Sequence, residues 1–210
     1  VLLLLLHFTA PICRAATATD ARYNSRRLRR LRELPGKQAY LARVPQEVPQ
    51  RFVFSPHFNH RFNPAEEVAR ILWLDQHLMG GVKLPASPQS EFGLGKTAVL
   101  YVDSAKGLPV KRVEIYYSVD SDPRSGFWRS GGALGGHWQA GLEMETLARP
   151  LFAFTNVYYA LPKPVALPHH GEVAEVCISS QLHVLKSEAL KATRVQPSGG
   201  PELVIDNFQR

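Results

Sequence analysis

The stretch Phe52–Gly81, FVFSPHFNHRFNPAEEVARILWLDQHLMGG, holds the pieces from which a fold reading can be built. Phe52-Val53-Phe54 has strand composition. A polar loop from Ser55 to Phe62 follows and carries His57 and His60. A helix is predicted next: Asn63 is a good N-cap, Pro64 suits the first helical position, and Glu66 and Glu67 meet the positive end of the dipole. Val68, Ile71, Leu72, Asp75 and Leu78 follow helical spacing, and Gly80-Gly81 supplies the stop. Strand, histidine loop and amphipathic helix in this order can mount a catalytic histidine at the edge of an α/β sheet. The plainer alternative is two surface histidines in an ordinary strand-to-helix connection.

Composition sets wide bounds. The chain has 210 residues, 45% apolar and 20% charged, as in an ordinary globular protein of one large or two small domains. Cys13 and Cys177 lie far apart and form neither a metal nor a redox motif. No apolar run reaches membrane-spanning length. The net charge of +7 is concentrated in the six arginines between Arg22 and Arg32. They surround Leu28, Leu31 and Leu34 in SRRLRRLREL, Ser25 to Leu34, which reads as an amphipathic helix. No aromatics interleave it and no groove-reading motif accompanies it, so a solvated outer face accounts for it better than a nucleic-acid site.

The start of the chain supports two readings. Val-Leu-Leu-Leu-Leu-Leu followed by HFTAPICRAATATD offers an apolar core and a small-residue cleavage zone at Ala15–Ala18, but no basic n-region. The other reading is a piece cut from a longer protein, with Val1–Leu6 ending a buried element and Pro11–Ala16 forming a core strand that ends at Asp20. The first reading implies a secreted or periplasmic protein; the second leaves the compartment open.

After Gly81, KLPASPQSEFG has two prolines and no periodicity, and marks a domain boundary. Strands are expected at Thr97–Val102, around Val113, Ile115 and Tyr117 with one buried face, at Pro150–Leu161 and at Glu172–Leu185. Turn-rich spacers between them suggest an antiparallel β-sandwich. Gly93-Leu94-Gly95-Lys96-Thr97 lacks the first glycine and the strand-to-helix setting of a phosphate loop. His169-His170 with Glu172 fits a turn better than a metal site, since adjacent strand residues face opposite ways. Trp128, Trp138, Tyr116, Tyr117, Phe152 and Phe154 could stack on sugars, but aromatics at strand spacing more often fill a core. One catalytic pairing remains, Asp20 with His60 forty residues later. A buried carboxylate can fix an imidazole's tautomer while its other nitrogen takes the nucleophile's proton. Asp20 and His60 would be the second and third members of a nucleophile–acid–histidine order, and no G-x-S-x-G elbow precedes them.

ATATDARYNS, then FSPHFNHRFNPAEEVARILWLDQHLMGG and LPASPQ, resembles the C-terminal part of a bacterial α/β-hydrolase family. The family is dienelactone-hydrolase-like or acetyl-xylan-esterase-like, near the PhoPQ-activated pathogenicity-related group. The resemblance implies an acid at Asp20 and a base at His60 beside Asn59, with Thr19 where that family usually has asparagine. VEIYYSVDSDPRSGFWRS, HWQAGLEM and PLFAFTNVYYAL resemble the β-sandwich appended to the same hydrolases.

The expectation is therefore an α/β class chain. Residues 1–84 would be the C-terminal end of an α/β-hydrolase sheet, 85–190 an antiparallel β-sandwich, and 191–210 a linker with the start of a further module. Its function would be that of a serine hydrolase fragment acting on a small-molecule or polysaccharide-linked ester, inactive alone. No cofactor, metal, nucleic acid or membrane span is expected. The competing expectation is a secreted, non-enzymatic β-sandwich module that binds carbohydrate or protein.

Overall fold

The computed structural model describes residues 2–5, 50–56, 63–120, 128–132 and 138–198. The chain divides into two compact units, Val1–Leu4 with Phe52–Arg210, and Leu5–Arg51.

Strand β2, Phe52–Ser55, leads to helix α1, Pro64–Leu78, much as the composition predicts. The Asn63 side chain accepts from the Ala65 N–H at 2.9 Å, and the Glu66 carboxylate accepts from the Asn63 N–H at 3.2 Å, which completes a capping box. At the other end Gly80 takes φ of +70°, so the Gly81 N–H folds back to the Asp75 carbonyl at 3.2 Å. The buried stripe is Ala65, Val68, Ala69, Leu72 and Trp73. This is rotated from the expected one: Leu78 is 62% exposed, and Trp73, the largest apolar side chain on the helix, sits at 1%. The two alanines let the helix approach closely on the side where Trp73 is buried.

Beyond α1 the chain is β. Strands β3 (Gln89–Leu94), β4 (Ala98–Asp103) and β7 (Trp138–Leu142) form a three-stranded sheet in that order. Among the described residues the larger sheet has seven strands. Its path runs from β1 (Leu2–Leu5) through β2, β9 (Gly171–Ser179), β8 (Leu151–Leu167) and β5 (Val110–Ser118) to β6 (Arg129–Gly132), with β10 (His183–Leu185) also paired to β8. A short helix α2, Ser187–Lys191, follows. The β8–β9 register shifts between Ala160 and Val165, where Pro162 and Pro164 cannot donate to a ladder.

Register assigns the two faces of the large sheet. Directly opposed residues share a face, so Val113, Ile115 and Tyr117 of β5 join Val157, Thr155 and Ala153 of β8 on one side. All six are buried, and β7 of the small sheet meets β5 and β6. The Glu143 N–H donates to the Tyr117 hydroxyl at 3.3 Å just beyond β7. The opposite face carries Phe154, Asn156 and Tyr158, and α1 lies over it, with Ala65, Tyr158 and Cys177 forming one buried cluster. Helix, large sheet and small sheet thus stack as layers, which is why Leu151–Tyr159 is buried at every position.

This arrangement overturns the expected α/β-hydrolase sheet. Such a sheet is mostly parallel, each strand returning through a helix. Here the pairings of β2 through β10 are antiparallel, and α1 and α2 are the helices among the described residues. The Phe52–Ser55 strand, expected inside a hydrolase sheet, pairs antiparallel with β9. Two side chains pin it there: Ser179 Oγ accepts from the Phe54 N–H at 2.8 Å, and Asn156 Nδ2 donates to the Phe54 carbonyl at 3.0 Å. The fold class is β-rich, not α/β.

Candidate functional site

The expected catalytic pair, Asp20 and His60, lies outside the described residues, as do Asn59, His57, Cys13, the basic segment Ser25–Leu34 and the tail beyond Ser198. Phosphate-loop-like Gly93–Thr97 closes the β3–β4 hairpin. His169 and His170 occupy the turn into β9, where Gly171 takes φ of +67°. No group of metal-ligating side chains is found among the described residues.

Two polar clusters stand out among the described residues. The first lies between α1 and the large sheet. Glu66 is fully buried, and its Oε2 accepts from the Ser55 hydroxyl as well as from the Asn63 N–H. Burial raises its carboxyl to about 7, opposed by those two hydrogen bonds and reinforced by the charge of Glu114. Asn63 Nδ2 donates to the Tyr158 hydroxyl at 3.3 Å, and the Arg112 guanidinium sits 3.5 Å above the Tyr158 ring centroid. Arg112 grips Glu175 through Nη1 at 2.7 and 2.8 Å and Glu114 through Nε at 3.0 Å, while the Tyr116 hydroxyl donates to Glu114 at 2.8 Å. Burial pushes the Cys177 thiol and the Tyr158 phenol up, so both keep their protons. With its nucleophiles protonated and its members bonded to one another, this cluster is a strut that runs from the buried Ser55–Glu66 pair out to the partly exposed Arg112 and Glu114.

The second cluster is open. A groove of about 410 Å³ at the end of the small sheet is lined by Gln89, Ser90, Glu91, Tyr101, Val102, Asp103 and Trp138. Its size is that of a small-ligand cleft. Register explains its composition. Gln89 opposes Asp103, and Glu91 opposes Tyr101, so these four share the outer face, while Ser90, Val102 and Trp138 line up on the inner one. The groove wraps the sheet end and draws on both. Tyr101 is 43% exposed, and its ring lies against Gly93, where an added Cβ would come within 2.4 Å of Cε2. The missing side chain at Gly93 therefore lets the ring lie along the sheet. On the inner side Ser90 Oγ and His183 Nε2 are 2.8 Å apart, and His183 packs edge-on against Phe92 with ring centroids 5.7 Å apart.

Among the aromatics considered from sequence, Trp128, Tyr117, Phe152 and Phe154 are core, and Trp138 reaches the groove. Tyr101 was missed. The available signal was an aromatic between Val99 and Asp103 on the non-core phase of a period-two strand whose other phase is Ala98, Leu100 and Val102. The partner that makes it a platform, Gly93, belongs to another strand. Comparison with protein-family models, curated proteins and solved structures finds no match.

Proposed function

We propose that the two-sheet unit is a ligand-binding module whose groove takes a saccharide. The observation that carries this reading is the exposed Tyr101 ring laid over Gly93 on the outer face of the small sheet, with Gln89, Glu91 and Asp103 on that same face and Trp138 lining the groove from the inner one. Sugar rings present apolar C–H faces that stack on aromatic rings and hydroxyls that hydrogen-bond carboxylates and amides. Two carboxylates and no lysine or arginine among the lining residues favour a neutral or cationic ligand over an anionic one. The serine hydrolase expectation rests on Asp20 and His60, outside the described residues, and the sheet meant to mount them is not the one found.

The test is affinity electrophoresis and calorimetry of the full chain against neutral oligosaccharides and polysaccharides. Binding should weaken about tenfold in Tyr101→Ala, the range expected for losing one aromatic contact. Absence of binding to any neutral glycan, or unchanged binding by Tyr101→Ala, would sink the reading.

A further inference from the structure

The Ser90–His183 pair goes beyond ligand binding. Ser90 lines the groove, and its hydroxyl lies within hydrogen-bond reach of a ring nitrogen of His183. These two residues are 93 positions apart, on different sheets, so the fold brings them together. His183 opens β10 opposite Ala153, and Phe92 braces the imidazole edge-on. A serine that lines a cleft, with a nitrogen base at hydrogen-bond distance from its hydroxyl, is the minimal geometry of an activated serine.

We propose that Ser90 and His183 form a nucleophile–base pair able to open activated acyl esters in the groove. Ser90 Oγ forms a bond to the acyl carbon as its proton passes to His183 Nε2. Collapse of the tetrahedral intermediate breaks the bond to the leaving alkoxide, which takes that proton and departs as an alcohol. Water then attacks the acyl-serine, giving a proton to His183, and the serine recovers its own on release of the carboxylic acid. No oxidant, metal or cofactor enters the balance, and Tyr101 and the outer carboxylates take no part in it.

Burial holds His183 below its usual range, so its ring is neutral and able to accept at pH 7. The titratable groups sharing the groove are Glu91 on β3 and Tyr101 and Asp103 on β4, all on the sheet face opposite to Ser90; β8 faces His183 with Ala153.

The experiment uses the full chain and a fluorophosphonate probe, with the modified residue located by mass spectrometry. One phosphonyl group is expected on Ser90, with none on Ser90→Ala and labelling slowed at least about a hundredfold in His183→Gln, the contribution expected of a general base. Wild-type labelling should also slow as pH falls through the imidazole titration, and this arm decides alone if His183→Gln does not fold. No modification of Ser90, modification unaffected by His183→Gln, or a wild-type rate indifferent to acid overturns the proposal. Because the probe carries no sugar, the result is independent of whether the groove binds saccharides.

Discussion

The two polar clusters use similar residues for opposite ends. Under α1, a serine, a glutamate and a tyrosine are sealed in: Ser55, Glu66 and Tyr158 bond within the layer and are nearly or fully inaccessible. On the small sheet, Ser90, Glu91 and Tyr101 sit on adjacent strands around an open groove. The difference is the number of layers covering each. The large sheet is covered on both faces, so its polar groups must satisfy one another or remain protonated. The small sheet is covered on one face, so its outer residues stay in water and are available to a ligand.

That contrast can be broken at several points. Phe154→Ala should have the largest effect. Phe154 is fully buried and packs on Phe54 at 4.6 Å, Trp128 at 4.8 Å and Tyr116 at 5.4 Å. Urea unfolding should show a loss of about 3–5 kcal/mol, the usual cost of removing a core phenylalanine. A loss below about 1 kcal/mol would mean that the helix-covered face is not a tight core.

Glu66 should make stability depend on pH. Its folded carboxyl titrates at about 7 against 4.5 when free, so the folded state holds the proton more tightly. The protein is then most stable below pH 4.5 as far as this group is concerned, loses stability as pH rises through the interval, and is level above 7. The span is about 3 kcal/mol at 1.36 kcal/mol per unit. Glu66→Gln keeps an acceptor for Ser55 and Asn63 without the charge. It should therefore be the more stable protein at pH 8 and lose that advantage by pH 5, as read by paired denaturant curves. Parallel curves for the two proteins would refute a strained carboxylate.

Changes at the groove should leave the fold nearly intact. Gly93→Ala places a methyl group where Tyr101 now lies, and an exposed ring can swing away. Stability should fall by no more than about 1 kcal/mol, the usual bound for a strand glycine to alanine change with a flexible neighbour. Any glycan binding should drop with it, since the platform has moved. Tyr101→Ala should cost less than about 0.5 kcal/mol in thermal unfolding, as an outward-facing side chain does. A large stability loss in either variant would show that the ring is structural.

Local elements were legible in the sequence where a short-range rule governs them. Asn63 caps α1, Pro64 opens it and Glu66 lies in its first turn, as their positions predict, Gly80 ends α1, and Val113, Ile115 and Tyr117 are buried in alternation. The stripe on α1 was misplaced because alanines at 65 and 69 and the tryptophan at 73 outweigh Ile71 and Leu78 once a sheet lies beneath them. The groove was not legible, because Gly93 meets Tyr101 only through the β3–β4 register, and Ser90 meets His183 only where the two sheets approach.

The same boundary explains the fold class. Phe52-Val53-Phe54 specifies a strand by composition, and Asn63–Gly81 specifies a capped helix by spacing. Whether that strand joins a parallel or an antiparallel sheet is decided by its neighbour, β9, and by Ser179 and Asn156, more than a hundred residues away. Strand composition encodes a half-buried extended segment; the direction of its partner is a property of hydrogen bonds between distant chain segments, which only the tertiary structure forms.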